Sequence, residues 1–340
     1  LMEKGFVIET EKGHSTGGRK PIYLTVNPDK GYIISIDIEV HQVKIVIFNL
    51  KLNVEKKIRF SLVKDKDPDL IINMILSKVH MMLDSEDVKE NKILGIGIGV
   101  PGLINKKDDI LEFAPNLGWS NLDLISYFSE FEVPVILENE ANAAVVGERE
   151  FVYPEEDNMV FVSINEGIGC GIIFNGQLYP GASGNAGEFG HIIIENKGRK
   201  CHCGNRGCWE TLASTGFIID KYKEITAKKL VNFQDIIQKV SREENTDKKL
   251  IEIFQETAYN IGLGLVNIIN SLSPELLIIG GDINYFKEFI EEEINRVVQK
   301  KAIGISYNQL RLKFSQLNGL SVVHGLASHV FDESISLIKQ

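Results

Sequence analysis

The sequence predicts an α/β protein of two similar lobes, and three observations carry that expectation. The chain has 340 residues, more than a single hydrophobic core ordinarily organises. Its apolar residues fall into short runs of strand character and longer stripes at helical spacing. A succession of three strands, a helix and a further strand occurs twice.

Each element has a local reason. Phe6-Val7-Ile8-Glu9 and Pro21-Ile22-Tyr23-Leu24-Thr25-Val26 read as the arms of a hairpin around a polar, mostly basic loop running from Glu11 to Lys20. Asn27-Pro28-Asp29 punctuates the chain, and strands are expected at 32–36, 43–49 and 57–62. Asp67-Pro68 supplies a cap and a first-turn proline for a helix whose stripe is Leu70, Ile71, Met74, Ile75 and Val79. A buried strand at 93–98 runs into Gly95-x-Gly97-x-Gly99-x-Pro101-Gly102. Ser35-Ile36-Asp37 and Phe48-Asn49 are echoed later by Ser163-Ile164-Asn165 and Phe174-Asn175. The second copy has a long helix over 247–272, with Ile251, Phe254, Ala258, Ile261, Leu265, Ile268 and Leu272 on one stripe. Pro274, a strand at 276–279 and Gly280-Gly281 follow. The boundaries expected are 1–27 for the hairpin module, 28–145 for a first lobe completed by a helix at about 323–340, and 146–322 for a second lobe. The two lobes are expected to face each other across a cleft.

Composition narrows the function. With 44% hydrophobic and 25% charged residues the chain suits a soluble globular protein. A net charge of −10 excludes a body that coats nucleic acid non-specifically, though not a small basic reading head. No apolar run reaches the roughly eighteen residues of a membrane span, and no secretory leader is read, so a cytoplasmic protein without a membrane partner is expected. Leu1 stands where a Met would begin a chain, inside what already reads as folded sequence, and suggests a fragment. Three of the four cysteines, Cys201, Cys203 and Cys208, cluster, while Cys170 stands apart and reads as a small buried thiol. That is a poor disulfide framework and a good metal cluster, and it points to a reducing compartment.

Cys201-His202-Cys203-Gly204-Asn205-Arg206-Gly207-Cys208, with His191 upstream, suits a closed tetrahedral zinc site of three thiolates and one imidazole. Such a site leaves no open position for water, so the zinc is expected to be structural. Spacing alone leaves His191 and His202 both open as the imidazole.

These residues also carry a resemblance. Gly181-x-x-Gly184-x-x-Gly187-Glu188-x-Gly190-His191, followed by Cys201-x-Cys203-Gly204-x-x-Gly207-Cys208-x-Glu210, resembles the two signatures of the ROK family of repressors, open reading frames and kinases. Gly97-x-Gly99-x-Pro101-Gly102, Pro115-Asn116-Leu117-Gly118-Trp119, Glu138-Asn139-Glu140-Ala141-Asn142-Ala143-Ala144, Gly167-x-Gly169-x-Gly171 and Gly280-Gly281 extend it along most of the chain. The resemblance implies the actin-like, sugar-kinase fold, a duplicated ribonuclease H-like plan. It implies that Asn116, Asn139, Glu188, His191 and Glu210 hydrogen-bond sugar hydroxyls. Glu140 falls where the kinases keep an aspartate as catalytic base, and counts with the sugar-binding set. The resemblance also places His191 on the zinc and leaves His202 as a loop residue.

Whether such a protein phosphorylates its sugar depends on the phosphate loops. Kinases of this fold open with Asp-x-Gly-Gly-Thr, whose backbone N–H groups wrap phosphates. Here the stretch is Asp37-Ile38-Glu39-Val40-His41, which sets a carboxylate and a β-branched side chain where a polyanion must approach. The second loop, Asn165-Glu166-Gly167-Ile168-Gly169, again carries a glutamate. Glu140 is one methylene longer than aspartate, and misplacing a base by ~1 Å costs on the order of a hundredfold in rate. ATP and Mg2+ are therefore not expected as cofactors, and the chain reads as a degenerate sugar kinase. The alternative is an ATP-dependent sugar kinase with Glu140 as base.

The N-terminus resembles the end of a recognition helix and the wing of a winged helix-turn-helix, the module that precedes the body in ROK repressors similar to those for xylose and N-acetylglucosamine. Lys12, His14, Arg19 and Lys20 on the wing suit phosphate or minor-groove contact. The expected protein is a sugar-responsive repressor of carbohydrate genes, a homodimer or homotetramer. Its partners are a sugar effector and operator DNA, the latter through a module largely missing from this chain.

Overall fold

The structure is a computed structural model that describes residues 1–12, 22–62, 66–84, 93–182, 184–227, 231–241 and 247–339. The chain divides into two compact units, residues 1–139 with 322–340, and residues 140–321. The passage at Asn139–Glu140 comes earlier than the 145/146 boundary expected from the pattern. The helix beginning at Glu140 packs on the sheet of the second unit, and so belongs with it.

The first unit opens with β1 (Val7–Lys12) and β2 (Ile22–Val26), an antiparallel ribbon pairing Val7 with Val26 and Glu9 with Leu24. Ahead of it, Phe6 N–H donates to Leu1 O and Gly5 N–H to Met2 O, with Gly5 at φ 76°. Those two bonds around a left-handed glycine are the Schellman pattern by which helices end.

The main sheet of this unit contains β3 (Tyr32–Ile38), β4 (Gln42–Asn49), β5 (Val54–Ser61), β6 (Ile93–Val100) and, later in the chain, β10 (Val135–Asn139). Their order is β10-β6-β3-β4-β5. β3, β4 and β5 run antiparallel, whereas β6 and β10 run parallel to β3. Helix α1 (Pro68–Leu83) is capped by the Asp67 carboxylate, which accepts from Leu70 N–H, with Pro68 in the first turn. It packs Ile71, Ile72, Ile75 and Val79 against the face of β3 that carries Ile34, Ile36 and Ile38. Leu70 is exposed, contrary to the predicted stripe; one position before Ile71, it falls outside the buried arc. Every residue of β3 is buried because both faces of the strand are covered. A small sheet of β7 (Leu103–Asn105), β8 (Ile110–Ala114) and β9 (Trp119–Leu122) rises between β6 and β10.

The second unit repeats the plan. After α2 (Glu140–Phe151) come β11 (Met159–Ile164), β12 (Ile168–Phe174) and β13 (Gln177–Leu178). Short α3 (Glu210–Ala213), then α4 (Thr215–Thr226), α5 (Phe233–Ser241) and the long α6 (Lys248–Leu272), lead to β14 (Leu276–Gly280). Helices α7 (Lys287–Lys301) and α8 (Gly304–Asn308) precede β15 (Arg311–Phe314). The strand order is β15-β14-β11-β12-β13. Again the first strand has its antiparallel partners on one side and two parallel strands on the other. The two sheets share one topology, so the sequence repeat is a structural duplication of the ribonuclease H-like, actin-like kind.

Helix α6 buries Phe254, Ala258, Ile261, Leu265 and Ile268 as predicted, while Ile251 and Leu272 point the same way but are exposed near the helix ends. Helix α9 (Ser321–Lys339) closes the first unit by lying on β6. Side chains added at Gly97 and Gly99 would sit 2.9 Å from Leu326 Cβ and 2.8 Å from Val322 Cγ1, so the glycine repeat there is a seat for a helix. Among the described residues no helix is long and apolar enough to cross a membrane.

Candidate functional site

Two of the predicted site residues stand in the first unit. Asn116 lies in the turn joining β8 to β9, where its carbonyl accepts from Lys66 Nζ at 2.8 Å. Trp119 Nε1 donates to Lys66 O at 2.6 Å, tying the same turn down from its other side. Asn139 is the last residue of β10. Its backbone N–H donates to Glu138 Oε1 at 2.8 Å and its Nδ2 to Gly102 O at 3.0 Å.

The second unit holds Glu140, Glu188, His191 and Glu210. Glu140 begins α2. Glu188 and His191 sit on a single turn of 3-10 helix entered through Gly187, whose φ is 92°. A Cβ at Gly187 would lie 2.0 Å from Cys170 O, so glycine alone lets this turn press onto β12. Glu210 starts α3, directly after the cysteine loop. Three of these residues converge: His191 Nε2 is 3.6 Å from Glu188 Oε2, and His191 Nδ1 is 3.6 Å from Glu210 Oε1. Cys201 Sγ donates to Glu210 Oε1 at 2.8 Å, joining the carboxylates to the cysteine loop.

The cysteine loop gathers around His191 rather than His202. The ligand atoms of His191, Cys201, Cys203 and Cys208 all lie within 4.8 Å of one another, and His202 is exposed and outside that group. Cys203 Sγ is 3.7 Å from Cys208 Sγ, and His191 Nδ1 is 3.6 Å from Cys201 Sγ. A tetrahedral ion with metal–sulfur bonds of ~2.3 Å has ligand–ligand edges of ~3.8 Å, so the residues fit a metal. Burial, and for Cys201 the Glu210 hydrogen bond, raise the Cys201 and Cys208 thiols above their ordinary range. A bound cation reverses that preference by taking thiolates as ligands. The loop is shaped by Gly207 (φ 75°), where a Cβ would stand 1.8 Å from Glu195 O. Behind it, Trp209 is fully buried and its Nε1 donates to Asn260 O of α6 at 2.8 Å.

The stretch read as a first phosphate loop is a closed turn. Glu39 N–H donates to Gln42 O at 2.9 Å, leaving only Val40 and His41 at the tip, and Val40 is buried. Lys44, across the hairpin, pairs with Asp37 Oδ2 at 3.3 Å and with Glu39 Oε1, and Gln42 Nε2 also donates to Glu39. Burial raises the Asp37 pKa from 3.8 to about 7, against the pull of Lys44. In the second loop, Asn165 Oδ1 accepts from Asp282 N–H at 2.7 Å and Asn165 O from Thr215 N–H at 2.8 Å.

Sequence reasoning missed Lys44, Lys106 and Glu138. The Asp37–Lys44 pair follows from the β3–β4 register once the turn is known. Lys106 approaches Glu138 across a sequence gap that no local pattern reveals. Of the predicted wing residues, Lys12 closes β1, and His14, Arg19 and Lys20 lie outside the described residues.

The chain is similar to several known proteins. The xylose repressor of Bacillus spizizenii is 33% identical over 341 residues, spanning 100% of this chain and 87% of that protein. The transcriptional dual regulator NagC of Escherichia coli is 25% identical, spanning 96% of this chain and 82% of its own length. A ROK family transcriptional regulator, a homologue of the Escherichia coli MLC protein, superposes with a TM-score of 0.80 at 24% identity over 100% of this chain and 88% of that one. A ROK glucokinase from Streptomyces griseus, in complex with glucose and AMPPNP, superposes with a TM-score of 0.77 at 25% identity over 88% of this chain and 99% of that one. The family model described as ROK matches residues 33–331, from the first strand of the first sheet into the closing helix; the chain belongs to the ROK family.

Proposed function

We propose that the chain is the effector-binding body of a sugar-responsive transcriptional repressor controlling carbohydrate genes. The closed Glu39–Gln42 turn carries this reading. It holds two carboxylates and an ammonium group in mutual contact where a kinase needs open backbone N–H groups for phosphates. A triphosphate brought there meets carboxylates already engaged and a buried valine. The similarity to xylose repressors over the whole chain supports the same reading.

In this proposal Asn116, Asn139, Glu140, Glu188, His191 and Glu210 bond to hydroxyls of the sugar. Carboxylates and amides clasp neighbouring hydroxyls, and a polar site of this kind rejects analogues that lack one. The four-ligand cluster holds a structural Zn2+ through His191, Cys201, Cys203 and Cys208, which fixes the imidazole's Nδ1 and leaves Nε2 toward Glu188. The bound metal supplies rigidity, and no position is left for a reacting water. The ribbon of β1 and β2 is a wing and the Schellman turn before it the end of a helix, so Lys12, His14, Arg19 and Lys20 contact operator DNA. The protein works in the cytoplasm as a homodimer or homotetramer.

The test is a gel-shift with the complete protein and the promoter region of its own operon, with and without D-xylose, D-glucose and N-acetylglucosamine. A shifted band that one of these sugars changes is the expected result. Absence of operator binding under every condition overturns the repressor reading. ATP-dependent turnover that disappears in Glu140→Gln establishes a sugar kinase in its place.

A further inference from the structure

Asn139, one of the proposed sugar contacts, is held by a network that includes Lys106, a residue no sequence pattern singled out. Lys106 lies in the turn between β7 and β8, 32 positions from Glu138. Its ammonium donates to Leu137 O at 2.7 Å and to Glu138 Oε2 at 2.8 Å, gripping the end of β10 twice. Glu138 is 4% exposed, so its carboxylate needs a cation and hydrogen-bond donors to be tolerated there. Lys106 satisfies Oε2, and the backbone N–H of Asn139 satisfies Oε1. The carboxylate thus fixes the main chain of Asn139 at the junction of β10 and α2.

The side chain of Asn139 is fixed by an independent contact. Its Nδ2 donates to Gly102 O at 3.0 Å. Gly102 has φ 128°, and a Cβ there would stand 2.4 Å from Phe113 O, so this carbonyl is set by a backbone that tolerates no other residue. A flipped amide would set oxygen against oxygen at that contact. The amide is therefore locked with its nitrogen on Gly102 and its Oδ1 turned the other way. A group meeting that oxygen must donate, as a sugar hydroxyl does.

Resting on the proposed sugar site, we infer that Lys106 and Glu138 are positioning residues that hold Asn139 as a hydrogen-bond acceptor for one hydroxyl of the effector. Lys106 touches no sugar; it acts through Glu138, and Glu138 acts through the backbone of Asn139. Specificity follows: an effector lacking that hydroxyl, or carrying an acceptor in its place, loses what the network provides.

The experiment is calorimetric titration of the complete protein with D-xylose, D-glucose and N-acetylglucosamine. It compares wild type, Lys106→Met, Asn139→Ala and the double variant, with melting temperature and metal content recorded for each. Lys106→Met keeps the aliphatic stem and removes the charge. It should weaken binding of the recognised sugar about tenfold, the size of one charge-assisted hydrogen bond, with metal content unchanged. In the Asn139→Ala background the same change should cost nothing further, because the group it positions is gone. Lys106→Arg should restore most of the affinity. If Lys106→Met does not fold, Glu138→Gln, which keeps the shape and removes the charge, replaces it in the cycle. Equal losses with and without Asn139 overturn the positioning role while leaving the sugar site standing. No binding of any of the three sugars by wild type overturns the sugar-site reading and this inference together.

Discussion

Asp37 is a carboxyl group kept in a place where it is poorly tolerated. It is 1% exposed, and its Oδ1 has no hydrogen-bond partner, so Lys44 on Oδ2 offsets only part of the desolvation. The pKa rises from 3.8 to about 7, so between those values the folded chain retains a proton that the unfolded chain releases. The proton favours folding at the acid end, and that contribution fades as pH climbs through about 7. Asp37→Asn should remove this slope. The melting temperature of wild type minus that of the variant should fall from pH 4 to pH 7, and a flat difference would contradict the account. Glu39 is legible in the sequence as hostile to phosphate, and Asp37 as the acid with which the kinase loop also opens. Their stabilising partner is not, because Lys44 meets them only through the register of a hairpin whose turn length the sequence leaves open. Asn139 divides the same way: its place in a recognisable run is legible, its fixation by Gly102 and Glu138 is not.

At the scale of elements, capping chemistry and periodicity read well and close packing did not. Asp67 and Asp247 stand as N-caps of α1 and α6, residue types that compete for backbone N–H groups and so mark helix starts. Ile71, Ile75 and Val79 of α1 and the central residues of the α6 stripe are buried as their spacing predicts, Met74 is half-buried, and Ile251 and Leu272 lie near helix ends, where periodicity does not say how far the covering layer extends. The glycines of β6 fall in a run read as a buried strand, but that they and the glycines of β12 are flat seats for α9 and α2 is visible only once a helix is laid on them. Gly264 in α6 is the sharpest case. Alanine ordinarily gains about 1 kcal/mol over glycine inside a helix. Here its methyl would stand 1.9 Å from Trp209 Cε2, on a ring that is fully buried and hydrogen-bonded to Asn260 O. Overpacking costs ~1–3 kcal/mol or more, and at this separation it outweighs the propensity gain. Gly264→Ala should therefore lower the melting temperature, and an unchanged or raised value would show that the indole can move aside.

For the molecule as a whole, the duplicated sheet was legible from two echoes of strand and turn. The same strand order in both units accounts for why those echoes recur with nearly the same spacing. The units differ in what steadies them. Both carry helices on the two faces of their sheets, and the second adds the loop of His191, Cys201, Cys203 and Cys208 against α6. Cys203→Ser, which removes one ligand, should lower metal content below one ion per chain and destabilise the second unit by several kcal/mol, since metal affinity is coupled to folding. Elemental analysis and thermal denaturation check both halves of that statement; full metal occupancy in the variant would remove Cys203 from the ligand set.

The placement of the two indoles has a practical consequence. The chain contains 2 tryptophans, Trp119 in the first unit and Trp209 in the second, each buried with its N–H on a backbone carbonyl. Replacing either with phenylalanine leaves a chain whose tryptophan emission, excited beyond the tyrosine band, comes from one half alone. A chelator added to the Trp209-only protein should redden and quench its light, while the emission of the Trp119-only protein holds steady through the same titration, so the loosening of the second half can be watched separately from the first.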